Sequence, residues 1–126
     1  MNDRYLFDTN AVLYYLQGRP EWISFIDGTS MTERAASVIT RMELLAFRGI
    51  SPDGEARIRR FLDDLLIIPL NETIENAAIA MRRAARLKLP DAIIAATALT
   101  QEATLITGDQ QLRDLQWPGF RAVTPA

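Results

Sequence analysis

Residues 89–112 read LPDAIIAATALTQEATLITGDQQL, and this stretch decides the fold. From Pro90 to Glu102 the side chains are apolar almost all round, which is typical of a helix buried inside a domain. A short strand is predicted directly after it, from Thr104 to Thr107. A buried helix followed by a strand is the repeating unit of an α/β protein, so we expect a mainly parallel sheet covered by helices.

The same alternation of strands and helices continues along the rest of the chain. Further strands are predicted at residues 4–7, 35–39, 66–69 and 121–123, the last of them at an edge of the sheet. Further helices are predicted at 11–16, 21–27, 40–47 and 71–87, with one more that begins at Ser51 and Pro52. We therefore predict one α/β domain over residues 1–126, with a mainly parallel sheet of about five strands flanked by helices.

The composition is that of an ordinary globular domain, with 48% hydrophobic and 24% charged residues in a chain of 126. The absence of cysteine suits a reducing cytoplasm, and no apolar run approaches the ~18 residues that would span a bilayer. We expect a cytoplasmic protein that does not contact membranes. The net charge of −2 argues weakly against a nucleic-acid partner, although almost all the cations are arginine, which binds phosphate well.

Four acidic residues from distant segments are predicted to meet at one edge of the sheet. Asp8 and Asp109 follow predicted strands, Glu43 lies in the first turn after another, and Asp91 opens the buried helix. In a parallel α/β sheet the carboxyl ends of the strands and the N-termini of the helices share one edge. Open sheets of this kind bind their ligands at that edge.

Each of these acids also has a purely structural interpretation. Thr40 and Glu43 fit a capping box, Asp8 and Asp109 fit helix N-caps, and Asp91 is a favourable anion in a first helical turn. Taken singly, these are the commoner explanations. Four carboxylates at one edge repel one another, however, so together they favour protonation or a bound cation.

The chain contains no histidine and no cysteine, so a metal site in it has only oxygen ligands to offer. Such a hard site selects Mg²⁺ or Mn²⁺ over zinc. These ions activate water and hold phosphate groups in line for attack. The residues alone therefore predict metal-dependent hydrolysis of phosphodiesters.

The chain resembles the PIN-domain ribonucleases, most closely the VapC-type toxins of bacterial toxin–antitoxin pairs. The resemblance covers essentially the whole chain and rests on the order and spacing of four motifs: DTN at 8–10, ITRMELLAF at 39–47, LPDAIIAATAL at 89–99 and TLITGDQQL at 104–112. It implies a three-layer PIN-like fold and a Mg²⁺- or Mn²⁺-dependent endoribonuclease that cuts RNA and is inhibited by a VapB-like antitoxin.

The same resemblance places the family's acidic positions on this sequence. Asp8, Glu43, Asp91 and Asp109 fall on them, as ligands of the metal and as catalytic residues. Where some relatives carry a further acid shortly after the last one, this chain has glutamine at positions 110 and 111.

Several polar and basic residues are candidates for supporting roles. Asn10 and Thr107 are expected to orient carboxylates, water or phosphate, with turn and cap chemistry as the alternative. Arg41 is a candidate RNA contact or a solvated helix residue. The dense basic run before Asp91 is a candidate RNA surface, or a set of cations that favours a helix C-terminus; it comprises Arg82, Arg83, Arg86 and Lys88.

Two short predicted helices are unusually aromatic, with Tyr14, Tyr15, Trp22 and Phe25. Most of these side chains are expected in the core. Any exposed part forms a groove for an antitoxin helix or for a second copy, and we expect a homodimer. Two other functions stay open at this point: a PIN-like nuclease of RNA maturation that is not a toxin, and a non-catalytic α/β binding module.

Overall fold

The computed structural model describes residues 4–126, which contain seven α-helices and one five-stranded sheet. A single turn of 3₁₀ helix, Met31–Glu33, precedes the second strand. In chain order the elements are β1 Tyr5–Phe7, α1 Thr9–Leu16, α2 Pro20–Asp27, β2 Arg34–Ser37, α3 Val38–Leu45, α4 Pro52–Asp63, β3 Leu66–Ile68, α5 Glu72–Ala85, α6 Leu89–Thr100, β4 Thr104–Ile106, α7 Gln110–Arg113 and β5 Arg121–Val123.

All five strands are parallel, in the order β3-β2-β1-β4-β5. The central strand β1 therefore lies between β2 and β4. Leu6 pairs with Ala35 on one side and with Leu105 on the other. The predicted parallel sheet is confirmed, as is the edge position of the strand at 121–123.

Alternation along the strands divides the core into two layers, one on each face of the sheet. Leu6 and Leu105 belong to a cluster that also contains the buried side chains of α5 and α6. Phe7 and Ile106, the next residues along, belong to a second cluster with the buried side chains of α1 to α4. Successive side chains of a strand point to opposite faces, so this division makes the fold a three-layer α/β structure.

Helix α6 is the buried helix that the sequence predicts. Ala92, Ala95, Ala96 and Ala98 are fully buried along it. These small side chains let α5 pack closely on one side while the sheet lies on the other. The close fit holds the N-terminus of α6, with Asp91 in its first turn, at the carboxyl edge of the sheet.

The junction between β2 and α3 differs from the prediction. The strand ends at Ser37 and the helix begins at once, with the Ser37 hydroxyl accepting a hydrogen bond from the N–H of Ile39 at 3.1 Å. Thr40 is therefore not the N-cap, and the capping box predicted for Thr40 and Glu43 is wrong. Ser37 satisfies the helix terminus three residues earlier, so Glu43 lies in the second turn and its carboxylate is not used by a cap.

The aromatic helices α1 and α2 are mostly core, as predicted. Trp22 and Ile26 are buried, while Tyr15 packs against Phe61 and donates a hydrogen bond to Asp27 at 2.6 Å. Leu62 is buried on the same side. Across residues 4–126, the helices are too short or too polar to cross a membrane.

Candidate active site

The four predicted acids line a single pocket at the carboxyl edge of the sheet. Its volume is about 140 Å³, and its walls also include Thr9, Asn10 and Ile94. Each acid arrives from a different element: Asp8 after β1, Glu43 in α3, Asp91 in α6 and Asp109 after β4. The prediction that these segments meet at one edge is therefore correct in its geometry.

Asp8 is the deepest of the four acids, with 4% of its surface exposed. It is the N-cap of α1, because its Oδ1 accepts a hydrogen bond from the N–H of Ala11 at 2.8 Å. Its Oδ2 accepts a short hydrogen bond from the hydroxyl of Thr107. Burial raises the pKa of Asp8 to about 6, with further contributions from the charges of Asp109 and Asp91, while its two hydrogen bonds lower it.

Thr107 links two of the acids at the end of β4. Its hydroxyl donates to Asp8 and accepts a hydrogen bond from the N–H of Asp109 at 2.9 Å. Asp109 in turn caps α7, with its Oδ1 accepting from the N–H groups of Gln111 at 2.8 Å and Leu112 at 3.2 Å. The supporting role predicted for Thr107 thus has a structural basis, because one buried hydroxyl fixes both segments.

Glu43 reaches the pocket through a contact that the sequence analysis missed. The hydroxyl of Thr9 donates to Oε1 of Glu43 at 2.7 Å. Thr9 stands inside the motif DTN, next to Asp8, and that adjacency was the available signal. No local rule connects Thr9 to a residue thirty-four positions later, so the pairing emerges only when β1 and β2 lie side by side.

Asp91 lies in the first turn of α6 and is half-buried. Burial is the main cause that raises the pKa of Asp91, and the charges of Asp109 and Glu43 raise it further, whereas the charge of Lys88 lowers it. The four carboxylates therefore form one electrostatic group. Two of them, Asp8 and Asp109, also cap helix N-termini, so for these two the structural and the chemical interpretations are compatible.

The remaining candidates lie in different places. Asn10 lines the acidic pocket with an exposed side chain. Arg41 lies instead along a separate groove with Arg59 and Asp63, on the side of α3 and α4. A third groove is lined by the three arginines of the predicted basic run, Arg82, Arg83 and Arg86. This groove shares no residue with the acidic pocket.

The donor set fits a hard divalent cation by its chemistry, since every polar side chain in the pocket offers oxygen, with one amide besides. Within residues 4–126, however, no three acidic side chains converge on a common point as a complete metal-ligand set does. Like charges that share a pocket repel one another, so four carboxylates spread along its walls are the expected arrangement.

Comparison with known proteins decides the family. Residues 5–118 match the PIN domain, which is most of the chain. The chain belongs to the PIN-domain family. The resemblance seen in the sequence is thereby confirmed, and membership of this family supports a nuclease that hydrolyses nucleic acid. No curated protein gives a significant match.

Several solved PIN-domain structures are similar over nearly the whole chain. A toxin–antitoxin complex from Klebsiella pneumoniae is 34% identical, covers 97% of this chain and 98% of that chain, and gives a TM-score of 0.82. DNA-bound VapBC from Salmonella typhimurium is 20% identical over 97% and 98% of the two chains, with a TM-score of 0.83. VapBC-1 from nontypeable Haemophilus influenzae is 25% identical over 90% and 95%, with a TM-score of 0.71.

Proposed function

We propose that the protein is a metal-dependent endoribonuclease and the toxin of a type II toxin–antitoxin pair. The observation that carries this proposal is the gathering of Asp8, Glu43, Asp91 and Asp109 around one pocket in a PIN domain. These residues are the proposed catalytic residues and the proposed ligands of the metal. The proposed cofactor is Mg²⁺ or Mn²⁺, because the pocket offers oxygen ligands without imidazole or thiolate.

A divalent cation in this pocket supplies two things: a lower pKa for a nearby water and positive charge beside the phosphate oxygens. The protein's own contribution is to hold the carboxylates in fixed positions. Asp8 is held on both carboxylate oxygens, by Ala11 and Thr107, and Asp109 is held by the first turn of α7. Both are therefore preorganised for a ligand that enters the pocket.

The other two acids, Glu43 on α3 and Asp91 on α6, line the rest of the pocket. Glu43 is exposed to solvent and accepts one hydrogen bond, from the hydroxyl of Thr9, whereas Asp91 is half-buried. They are free to adjust to a cation and a phosphate, while Asn10 at the rim offers an amide to a phosphate or water. Arg41, exposed on the same helix as Glu43, is proposed as an RNA contact.

The proposed partners are RNA, a VapB-like antitoxin and a second copy of the chain. The similarity to a toxin–antitoxin complex at 34% identity over nearly both full chains supports the antitoxin. Relief of inhibition on removal of such a partner is the behaviour expected of a toxin in a two-protein pair.

The test is cleavage of a mixed RNA pool and a matched DNA pool by the purified protein in Mn²⁺, Mg²⁺ or EDTA. We expect RNA to be cut with either metal and to survive in EDTA. Cutting of DNA at an equal rate contradicts an RNA-specific enzyme. Cleavage confined to one precursor RNA, without growth arrest on expression, favours a maturation nuclease.

The matched control compares two aspartates in the same assay. Asp8→Asn removes a carboxylate from the pocket, whereas Asp114→Asn changes an exposed carboxylate outside it. We expect only the first to abolish cutting. Cutting by neither protein under any condition, with antitoxin shown to be absent, contradicts the nuclease and leaves a binding module.

A further inference from the structure

A glycine occupies the turn after β4, between two residues that the acidic pocket depends on. Gly108 follows Thr107, whose hydroxyl binds Asp8, and precedes Asp109, which lines the pocket. The φ angle of Gly108 is not positive, so an L-residue with a side chain fits its backbone conformation. The conformation of the turn therefore does not require glycine at position 108, and the space around the turn has to be considered instead.

Two aromatic side chains fill the space beside Gly108. A β-carbon added to this glycine would lie 2.8 Å from Cε2 of Tyr14 and 3.3 Å from Cζ2 of Trp22. Both distances are shorter than the optimal separation of two carbon atoms, which is about 3.5–4.0 Å. The absence of a side chain thus lets the backbone of the turn approach both rings closely.

The two rings are themselves held in place. The centroids of Tyr14 and Trp22 are 5.1 Å apart with the planes tilted by 56°, and Trp22 is buried. On the Tyr14 ring lies the guanidinium of Arg19, with its Cζ atom 3.9 Å from the ring centroid. Pairs of aromatic rings and cations over rings attract one another beyond simple burial. Tyr14 therefore presents a ring edge of fixed position to the turn.

Helix α1 connects the Tyr14 ring to the pocket. Asp8 caps this helix, and Tyr14 lies six residues further on, which is about 9 Å along the helix axis. The turn after β4 meets α1 at both places, because Thr107 donates to Asp8 and Gly108 packs beside Tyr14. One contact fixes only a distance between the turn and α1, whereas two contacts also fix the orientation of the turn.

We propose that Tyr14 and Trp22 are positioning residues for Asp109, and that they act through Gly108. Asp109 follows the glycine directly, and its carboxylate caps α7 while it lines the acidic pocket. A displacement of the turn away from the rings moves Asp109 relative to Asp8. This inference rests on the proposed metal pocket, and it gives the aromatic helices α1 and α2 a role in that pocket.

The contact between the turn and the ring is tested without metal, by urea unfolding in EDTA. Gly108→Ala places a methyl group against the ring, and Tyr14→Leu removes the ring. We expect Gly108→Ala to lower the urea midpoint of the wild type, and to lower it much less in the Tyr14→Leu background, where the methyl group has room. An equal effect of Gly108→Ala in both backgrounds overturns the inference, whatever the activity of the protein.

The positioning of Asp109 is tested by the affinity of the same proteins for Mn²⁺, measured by calorimetry without RNA. Loss of a group that orients a metal ligand commonly weakens metal binding by about 10–100-fold. We therefore expect Gly108→Ala to raise the Kd for Mn²⁺ about tenfold or more, and to raise it less in the Tyr14→Leu background. Tyr14→Phe keeps the ring, so it is expected to retain the Kd of the wild type.

Gly28→Ala is the matched control, at a glycine outside the pocket. Gly28 ends α2 with a φ of −78°, and a β-carbon added to it would lie 3.2 Å from the carbonyl oxygen of Ser24. We expect this variant to lower the urea midpoint and to leave the Kd for Mn²⁺ unchanged. An equal rise in Kd for both glycine variants shows a general loss of stability and overturns the positioning role.

The outcomes separate this inference from the proposed function. A wild type that binds Mn²⁺, with the same Kd in Gly108→Ala, overturns the positioning role and leaves the metal pocket standing. A wild type that binds no Mn²⁺ contradicts the metal pocket and the positioning role together.

Discussion

A buried carboxylate with two hydrogen bonds is the central residue of the pocket. Asp8 is almost fully buried, and its pKa of about 6 compares with an ordinary value of 3.8. That difference corresponds to about 3 kcal/mol at neutral pH. The fold therefore holds an ionised group at a cost in stability, which is common where a protein places a group for binding or chemistry.

This cost predicts a pH dependence of stability. Because the folded pKa of Asp8 lies above the unfolded one, protonated Asp8 stabilises the fold below pH 3.8, and this contribution is lost as the pH rises through about 6. Against Asp8→Asn in metal-free buffer, the wild type should lose about 2 kcal/mol of unfolding free energy between pH 4 and 7. Urea titrations at a series of pH values measure the unfolding free energy of both proteins. Curves of unfolding free energy against pH that run parallel for the two proteins contradict this prediction.

The hydroxyl of Thr107 predicts a second effect at this scale. Thr107→Val removes the donor to Asp8 and the acceptor of the Asp109 N–H, so we expect a loss of about 1–3 kcal/mol of unfolding free energy. The pKa of Asp8 should also rise further, because that hydrogen bond lowers it. Thr107→Ser keeps the hydroxyl and serves as the control. Equal pH profiles for the Val and Ser variants argue against this role.

At the scale of elements, the pocket is built from junctions between strands and helices. The turn after β1 and the turn after β4 each place an aspartate that also caps the next helix, and α3 follows β2 without a loop. These caps direct backbone N–H groups and carboxylates to the same edge. The helix termini thus hold the walls of the site in place.

The caps themselves are testable as a pair. Ser37→Ala and Ser51→Ala each remove a hydroxyl that caps a helix, at α3 and α4. Each should lower the unfolding free energy by about 1 kcal/mol. Only Ser37→Ala should also slow RNA cleavage, because α3 carries Glu43 and α4 carries no residue of the pocket. An equal effect of both variants on cleavage contradicts a positioning role for the Ser37 cap.

Local patterns were sufficient for the five strands, for the longer helices and for the edge at which the acids meet. The apolar run of α6 and the polar residues after β1 and β4 obey rules that act over a few residues. The β2–α3 boundary was misplaced because Ser37 and Thr40 are both good N-caps, and packing decides between them. The contact of Thr9 with Glu43 was out of reach, since it depends on the pairing of two strands.

At the scale of the whole molecule, the parallel sheet and its helical layers position the acidic pocket. The carboxyl edge of the sheet carries the acidic pocket, while α5 forms an outer layer on one face of the sheet. Helix α6 lies between them, packed against α5 and carrying Asp91 at its start. The buried alanines of α6 therefore hold Asp91 at the proposed active site through close packing with α5.

The most direct test of the central claim is the rate of RNA cleavage as a function of Mn²⁺ concentration. It compares the wild type with four variants that each neutralise one pocket acid: Asp8→Asn, Glu43→Gln, Asp91→Asn and Asp109→Asn. We predict saturable metal dependence in the wild type, and in every variant a rate at least ~100-fold lower or a much higher Mn²⁺ requirement. Wild-type rates in any two of these variants, or cleavage that persists in EDTA, contradict a single metal-dependent centre built from the four acids.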